Sequence, residues 1–477
     1  MTPLLTIHPE LGAWRTRTFG LILGLVTGID FIANTMIAIG GVAIQNALGA
    51  STSAFLWALT TYATAAVVAN LVLAQVARRI SYRRFSVIAL LVFAAGALGC
   101  AYASDAVQLA LARALQGLGG GALFAASRIL VQLTARPSER LTLFWGFGIG
   151  SFGLAALAPW LTTWLIGVGG WQSMFLFQAG LAVPMAALVH LIYPRRPEHA
   201  ATSPTRFGHL DWPAVVLLCC GALLVLHTLE QMRSPQSTGA ALLFLGAGAG
   251  CFALAARRLH RHPDPWLDLR RLRSRRYLAG MGFYGLFYLF SGAWNYVVPL
   301  LLISGLAFAP TTAGALMSAG GAFTVLTLVV FHLLMHHVTR KHVFIASGYV
   351  VLAGAAVILA WLARPGAHPA TIVAPLLLQG ITPIMVMLQV AMMTYVEIPV
   401  EDFAHAYQLK NIMREAVSAL GTGSAALFLF QAQGTATGLG GEDARHAVLT
   451  AGQQFLYVLA SLSLLAAALA LWQKRIR

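Results

Sequence analysis

The sequence predicts an all-α integral membrane protein with fourteen transmembrane helices. Of its 477 residues, 58% are hydrophobic and only 10% are charged, whereas a soluble protein carries about 25% charged residues. The apolar residues form runs of about 20 residues, which is the length that an α-helix needs to cross a bilayer. The formal charge of +16 does not indicate nucleic acid as a partner, because the basic residues form short clusters between those runs.

Each apolar run defines one predicted span, and boundaries between spans are set by the charged clusters and by Gly, Pro and small polar residues. The predicted spans are 19–42, 54–76, 85–103, 107–134, 141–166, 173–193, 212–230, 239–256, 278–303, 312–335, 343–363, 371–397, 408–431 and 452–472.

The basic residues fix the predicted orientation. If the spans alternate strictly, 24 of the 31 Lys and Arg residues fall on one side and three on the other, so the first side is cytoplasmic and both termini lie there. The longest cytoplasmic links, 194–211 and 257–277, bracket one pair of helices. We therefore expect a 6+2+6 arrangement with these parts: an N-terminal six-helix bundle (1–193), the links with an inserted helix pair (194–276), and a C-terminal six-helix bundle (277–477).

One carboxylate interrupts the first span, in the stretch "LVTGIDFIANTM". Asp30 lies near the middle of the predicted bilayer, where a charge costs at least ~2.5–3.5 kcal/mol. Burial favours the neutral, protonated form of a carboxyl group. Asn34 lies four residues later and therefore on the same helix face. An ionisable residue inside the membrane is a functional candidate by default, so Asp30 is the first candidate site residue.

Several stretches resemble the major facilitator superfamily, and in particular its fourteen-helix drug:proton antiporter branch (EmrB/QacA type). "GIDFIANTMIAIGGVAI" is similar to that branch's first helix, and "LARALQGLGGGALFAAS" resembles motif B on the fourth helix. "LKNIMREAVSALGTGSA" resembles the second-last helix, with Arg414 as a conformational residue. The resemblance covers both halves and implies the major facilitator fold.

Two motifs of that family depart from its usual pattern. Motif A reads "AQVARRISYRR", which keeps Arg79 and Arg83 as conformational residues but has lost the acid. Motif C appears only as "FGLAALAPWLTTW", with Pro159 kept and the following glycine pair replaced by threonines. Motif C marks antiporters, so its change leaves the direction of transport open.

The resemblance places helices one and four face to face and thereby implies an ion pair between Asp30 and Arg113. Protonation of Asp30 would then release Arg113 and bias the equilibrium between inward-open and outward-open forms. The alternative is a static buried pair that sets helix register. Gly117 and Gly121 on the same helix indicate close helix packing, or alternatively a flex point for rocking.

Polar and aromatic residues within the spans are the predicted substrate contacts, and those of the ninth span suit a flat, apolar or cationic substrate through stacking and cation–π contact, although each also fits an ordinary position in the core or facing lipid. The predicted substrate-binding residues are Asn34, Gln116, Tyr284, Tyr288, Trp294, Asn295, Gln379 and Gln389. His332, His336 and His337 have a spacing known from metal sites, but without a cysteine or an acid beside them we predict no metal and no other cofactor.

These observations predict a proton-coupled secondary active transporter in the cytoplasmic (inner) membrane that exports small amphipathic compounds by alternating access. The alternative is a proton symporter that imports a nutrient or a metal chelate. A membrane enzyme or sensor is disfavoured because no connection is long enough for a soluble domain and no nucleophile–base pair converges. The resemblance also allows a periplasmic adaptor protein as a partner, besides the substrate, protons and lipid.

Overall fold

A computed structural model describes residues 13–134, 137–193, 211–231, 238–262, 272, 274–334, 340–399, 402–434 and 441–473. The described residues form sixteen α-helices and two π-helical turns and contain no strand. The helices are α1 (Ala13–Leu48), α2 (Thr52–Ile80), α3 (Tyr82–Ala101), α4 (Ala106–Gly120), α5 (Leu123–Thr134), α6 (Pro137–Gly169), α7 (Gln172–Ile192), α8 (Trp212–Gln231), α9 (Thr238–Arg261), α10 (Arg275–Leu300), α11 (Pro310–Leu334), α12 (Lys341–Leu362), α13 (Pro369–Thr382), α14 (Gln389–Thr394), α15 (Phe403–Gly434) and α16 (Gly441–Trp472).

Two of the predicted spans contain interruptions. The fourth span is α4 followed by α5, with a turn at residues 121–122 between them. The twelfth is α13 followed by α14, joined by a π-helical turn over Pro383–Leu388. Pro383 has no N–H group to donate to the preceding turn, so the helix widens where it begins. A second π-helical turn, Leu301–Gly305, follows Pro299 at the end of α10.

The all-helical membrane fold is confirmed, with twelve helical segments long and apolar enough to cross a bilayer among the described residues. The two remaining predicted spans are α8 and α15. In α8 the apolar stretch covers only Trp212–Val225, and α15 carries Lys410, Arg414 and Glu415 in its interior. The count of fourteen spans in a 6+2+6 order therefore stays a prediction.

The helices pack as two bundles with an additional pair. In the N-terminal bundle α1 packs on α6, α2 on α4, and α3 on α4 and α7; in the C-terminal bundle α10 packs on α15, and α12 on α13 and α16. Helices α8 and α9 pack on each other, and α8 also contacts α2 and α15. Arg258 near the end of α9 donates to Asp211, just before α8, over 2.6 Å. The predicted domain boundaries at 193 and 277 stay predictions.

Candidate functional site

Asp30 lies in α1 at the junction of the two bundles and is fully buried. Its Oδ1 accepts hydrogen bonds from the Tyr62 hydroxyl over 2.6 Å and from Asn34 Nδ2 over 3.2 Å. Its Oδ2 accepts from Arg414 Nη2 over 2.6 Å. Asn34 and Tyr62 belong to the N-terminal bundle, whereas Arg414 belongs to α15 in the C-terminal bundle. One carboxylate therefore connects both bundles.

Helix α15 brings two further charged residues into the protein interior. Glu415 accepts a hydrogen bond from Arg414, so that the guanidinium lies between two acids. Lys410 is buried, with its Nζ 4.2 Å from the centroid of the Tyr284 ring. Arg414 was predicted from the sequence, whereas Lys410 and Glu415 were not. The signal was available, because both are ionisable residues inside a predicted span, as Asp30 is.

The predicted ion pair between Asp30 and Arg113 is wrong in its partner, because the structure pairs Asp30 with Arg414. The guanidinium of Arg113 is occupied within its own bundle. It donates to Gln116 Oε1 over 2.7 Å and to the Ala58 carbonyl over 3.4 Å. Helix α15 of the C-terminal bundle packs against α2 of the N-terminal bundle and places Arg414 where the resemblance had implied Arg113 of α4.

Arg113 acts on Asp30 through shared neighbours. Its Nη2 donates to Asn34 Oδ1 over 3.4 Å, and its guanidinium carbon lies 4.0 Å from the centroid of the Tyr62 ring. Asn34 and Tyr62 are the two residues of the N-terminal bundle that hydrogen-bond to Asp30. Gln116 extends the polar network to Gln178 over 2.6 Å. The network therefore orients the groups that hold the carboxylate.

A cavity of about 310 Å³ lies between the bundles, directly beside the paired acid and arginine. Aromatic side chains, small residues and amides form its walls, and Arg414 and Glu415 supply charge. The volume lies at the lower end of the range for small-molecule sites, which are mostly apolar with a few polar groups. The polar and aromatic residues in its lining are Phe31, Asn34, Thr35, Trp57, Thr60, Phe152, Phe287, Tyr288, Ser291, Trp294, Asn295, Tyr296, Thr324, Gln379, Arg414, Glu415, Ser418 and Thr422.

The cavity contains five of the eight predicted substrate residues: Asn34, Tyr288, Trp294, Asn295 and Gln379. The other three, Gln116, Tyr284 and Gln389, are not among the residues that line the cavity.

Gln116 belongs to the Arg113 network. Tyr284 packs against Tyr288 with the ring centroids 4.7 Å apart and sits one layer deeper. Gln389 is buried, with no hydrogen-bond partner for its Nε2 in the described structure.

The predicted conformational residues occupy close helix contacts where the structure describes them. A Cβ atom on Gly117 would overlap the Tyr62 carbonyl, and one on Gly121 would overlap Ala66. These positions agree with the close-packing interpretation of the motif B glycines. Pro159 in α6 lines the cavity.

The structure gives less information about the two arginines of motif A, which were also predicted as conformational residues. Arg83 lies in the first turn of α3 and is half-buried. The side chain of Arg79 lies outside the described part of the chain.

Hydrogen bonds between α2, the end of α4 and α15 close the bundles on one side. We call it the terminal side, defined as the side where α1 begins and α2 ends. Asn411 Nδ2 donates to Asn70 Oδ1 over 2.7 Å and to the Gly121 carbonyl over 2.9 Å. Gln408 Nε2 donates to the Asn70 carbonyl over 3.0 Å. The cavity residues of α1 and α2 occupy the opposite halves of those helices. The described conformation is thus closed on the terminal side.

The described residues contain no group of three or more His, Cys, Asp and Glu that could hold a metal ion. The side chains of His332, His336 and His337 lie outside the described residues, so the prediction about them is untested. The four cysteines are free thiols.

The two bundles, the central cavity and the buried charges define a multi-pass membrane protein of the transporter class. A model of the Major Facilitator Superfamily matches residues 23–422. The chain belongs to the Major Facilitator Superfamily and is a transporter rather than an enzyme. Solved structures agree on the fold: the POT family transporter PepTSo superposes with a TM-score of 0.60 at 16% identity, covering 96% of this chain and 97% of that one.

Curated relatives carry transporter names. The probable actinorhodin transporter of Streptomyces coelicolor is 28% identical over 66% of this chain and 55% of its own length. The uncharacterized transporter YebQ of Escherichia coli is 30% identical over 54% of this chain and 56% of its own length. A multidrug resistance protein B homolog of Mycobacterium tuberculosis is 23% identical over 56% of this chain and 48% of its own length. The match thus spans about half the length of these relatives, and the names support the drug-transporter branch.

Proposed function

We propose that the protein is a proton-coupled secondary active transporter that exports small amphipathic compounds by alternating access. The observation that carries the proposal is the contact between Asp30 and Arg414, which joins the two bundles beside the cavity. Proton binding to a group at that junction would change the free-energy difference between conformations in which the bundles have different relative positions. The relatives named as a probable actinorhodin transporter and as a multidrug resistance protein B homolog support export of such compounds.

The proposed coupling begins with the ionised carboxylate. In that state Asp30 holds Arg414, and the ion pair strengthens the closure of the bundles on the terminal side. Protonation removes the charge of Asp30 and with it most of the attraction. Arg414 then stays with Glu415 on its own helix, and the bundles are free to separate on the terminal side. Proton binding therefore biases the equilibrium between the two open forms.

Arg113 has a supporting part in this proposal. It holds Asn34 and stacks on Tyr62, and these two residues present hydrogen-bond donors to Asp30. The proposed coupling group is therefore Asp30 with Arg414, and Arg113 is a positioning residue. We further propose an inner-membrane location with cytoplasmic termini, on the distribution of basic residues, and a periplasmic adaptor protein as a partner, on the family resemblance.

Reconstitution of the purified protein in vesicles tests the proposal. We expect an imposed pH gradient to drive accumulation of a dye by the native chain, and Asp30→Asn to lose this accumulation while it keeps downhill exchange. Asp105→Asn is the matched control, because Asp105 is an exposed N-cap residue and Asn caps a helix equally well. Accumulation by Asp30→Asn at the native rate would contradict the coupling role.

Import by proton symport is the second candidate, and the altered motif C around Pro159 favours it. The two candidates predict opposite results in whole cells. Cells that lack an exporter accumulate more of a fluorescent dye than cells that contain it, and cells that lack an importer accumulate less. The sign of that difference decides the direction of transport.

A further inference from the structure

Among the residues that the structure describes, the charges buried inside the helices do not balance. Four cations, Arg113, Arg128, Lys410 and Arg414, are buried there, and two acids, Asp30 and Glu415, lie among them. The other buried acids, Asp211 and Asp402, precede α8 and α15 at the helix ends. Both acids of the interior are engaged by Arg414. The surplus is therefore positive, and it falls on Lys410 and Arg128.

Four aromatic rings lie around the ammonium group of Lys410. Its Nζ lies 4.2 Å from the Tyr284 ring centroid and between 5.5 and 5.9 Å from those of Phe124, Tyr395 and Tyr407. No carboxylate pairs with it within the part of the chain that the structure describes, and its charged neighbours are Arg128 and Arg414. The cation–π contacts offset part of the free-energy cost of burying an ammonium group that has no carboxylate partner.

The guanidinium of Arg128 likewise lies among aromatic rings. Its guanidinium carbon lies 4.5 Å from the Phe147 ring centroid, 5.0 Å from that of Phe144 and 5.4 Å from that of Phe124. Its Nε is buried and has no hydrogen-bond partner in the described structure. Lys410 and Arg128, which lie over the Phe124 ring together with Arg414, thus have no carboxylate partner within the described ranges of the chain.

The position of this pair connects it to the cavity. Tyr284 lies against Lys410 on one side and against Tyr288, a cavity residue, on the other. Phe124 belongs to the N-terminal bundle and Lys410 to the C-terminal bundle. Lys410 directly precedes Asn411, whose hydrogen bond to Asn70 joins the bundles on the terminal side. Separation of the bundles on the terminal side would part Phe124 from Lys410 and uncover the ammonium group at the base of the cavity.

We propose that Lys410 and Arg128 form the charge-recognising end of the substrate site, and that the transported compounds are flat organic anions. This inference rests on the proposed function and names its substrate class. A carboxylate, sulfonate or phenolate supplies the missing negative charge, and an attached ring system fits among the aromatic walls. An organic cation would add to the existing surplus and bind less tightly.

Two xanthene dyes of similar skeleton test this charge preference: fluorescein, an anion, and rhodamine 123, a cation. Dissociation constants are measured on the full chain in detergent by fluorescence anisotropy. We expect the native protein to bind fluorescein more tightly than rhodamine 123. Lys410→Met should weaken fluorescein binding about 10-fold or more, the effect of one lost charge-assisted contact, and Lys410→Arg should keep most of the native affinity.

The inference is overturned if the native protein binds rhodamine 123 as tightly as fluorescein or more tightly, or does not bind fluorescein. It is also overturned if Lys410→Met leaves the ratio of the two dissociation constants unchanged. If Lys410→Met does not fold, Arg128→Gln takes its place with the same expectation. Binding requires no proton gradient, so a protein that prefers fluorescein but does not pump contradicts the proposed function alone. A proton-driven pump that prefers rhodamine 123 contradicts this inference alone.

Discussion

Replacing Asp30 by Asn tests how much the charge at the junction of the bundles stabilises the conformation that is closed on the terminal side. The substitution keeps the shape of the side chain and one carbonyl oxygen, and it removes the negative charge that Arg414 contacts over 2.6 Å. The described conformation contains this contact and is closed on the terminal side. We expect Asp30→Asn to shift the equilibrium toward the form that is open on that side.

The structure sets the size of the shift. Removal of one member of a buried ion pair costs about 3–5 kcal/mol when the other charge is left alone. Arg414 keeps Glu415 as a partner, so that value is an upper limit. A single hydrogen bond to a charged group, about 1.5–3 kcal/mol, is the better measure. Because about 1.4 kcal/mol corresponds to a factor of ten, the equilibrium constant should change by about 10-fold to 100-fold.

Pulsed electron–electron double resonance measures this shift as a change in the distribution of distances between two spin labels. Arg84, at the start of α3, and Arg340, just before α12, are exposed and belong to different bundles, so each is replaced by a labelled Cys in a background without the four natural cysteines. We expect Asp30→Asn to enlarge the long-distance population, and Asp105→Asn to leave the distribution as it is. An unchanged distribution in Asp30→Asn, or a larger closed population, refutes the reasoning.

Three further substitutions test the packing and the hydrogen bonds around the site. Gly117→Ala should lower the free energy of unfolding in detergent by about 1–3 kcal/mol, because its Cβ would overlap the Tyr62 carbonyl. Gly180→Ala is the control and should leave it unchanged, because a Cβ at that position would meet no neighbouring atom within 4 Å. Tyr62→Phe keeps the ring that Arg113 stacks on and removes a hydrogen bond to Asp30; proton-driven dye accumulation should fall several-fold, and an unchanged rate would contradict the assigned role. Asn411→Ala removes hydrogen bonds to Asn70 and Gly121, each worth about 0.5–1.5 kcal/mol, and should enlarge the same long-distance population in the resonance measurement.

Hydropathy and charge clusters were sufficient to predict the helical membrane architecture, because both depend on the chain's local composition. Local spacing likewise predicted that Asp30 and Asn34 share a face, and they share a hydrogen bond of 3.2 Å. The interruption of the fourth span at residues 121–122 was not predicted, since an apolar run does not show where a helix turns. The π-helical turn over Pro383–Leu388 was not predicted either.

The partner of Asp30 could not be derived from local pattern. Choosing between Arg113 and Arg414 requires the relative position of α1, α4 and α15, which only the packed structure gives. Lys410 and Glu415 were missed for a different reason. Both are ionisable residues inside the predicted span 408–431, so the sequence alone marks them as functional candidates in the way that it marks Asp30.

The location of the cation that faces Asp30 bears on whether the buried pair is static or a switch. A static pair that sets helix register needs a partner at a fixed position, and Arg113 in the same bundle would have served. Arg414 instead lies across the surface where the bundles meet, beside the cavity. Any motion that opens the terminal side moves α15 away from α2, so the energy of the pair enters the equilibrium between conformations. The observed partner therefore favours the switch.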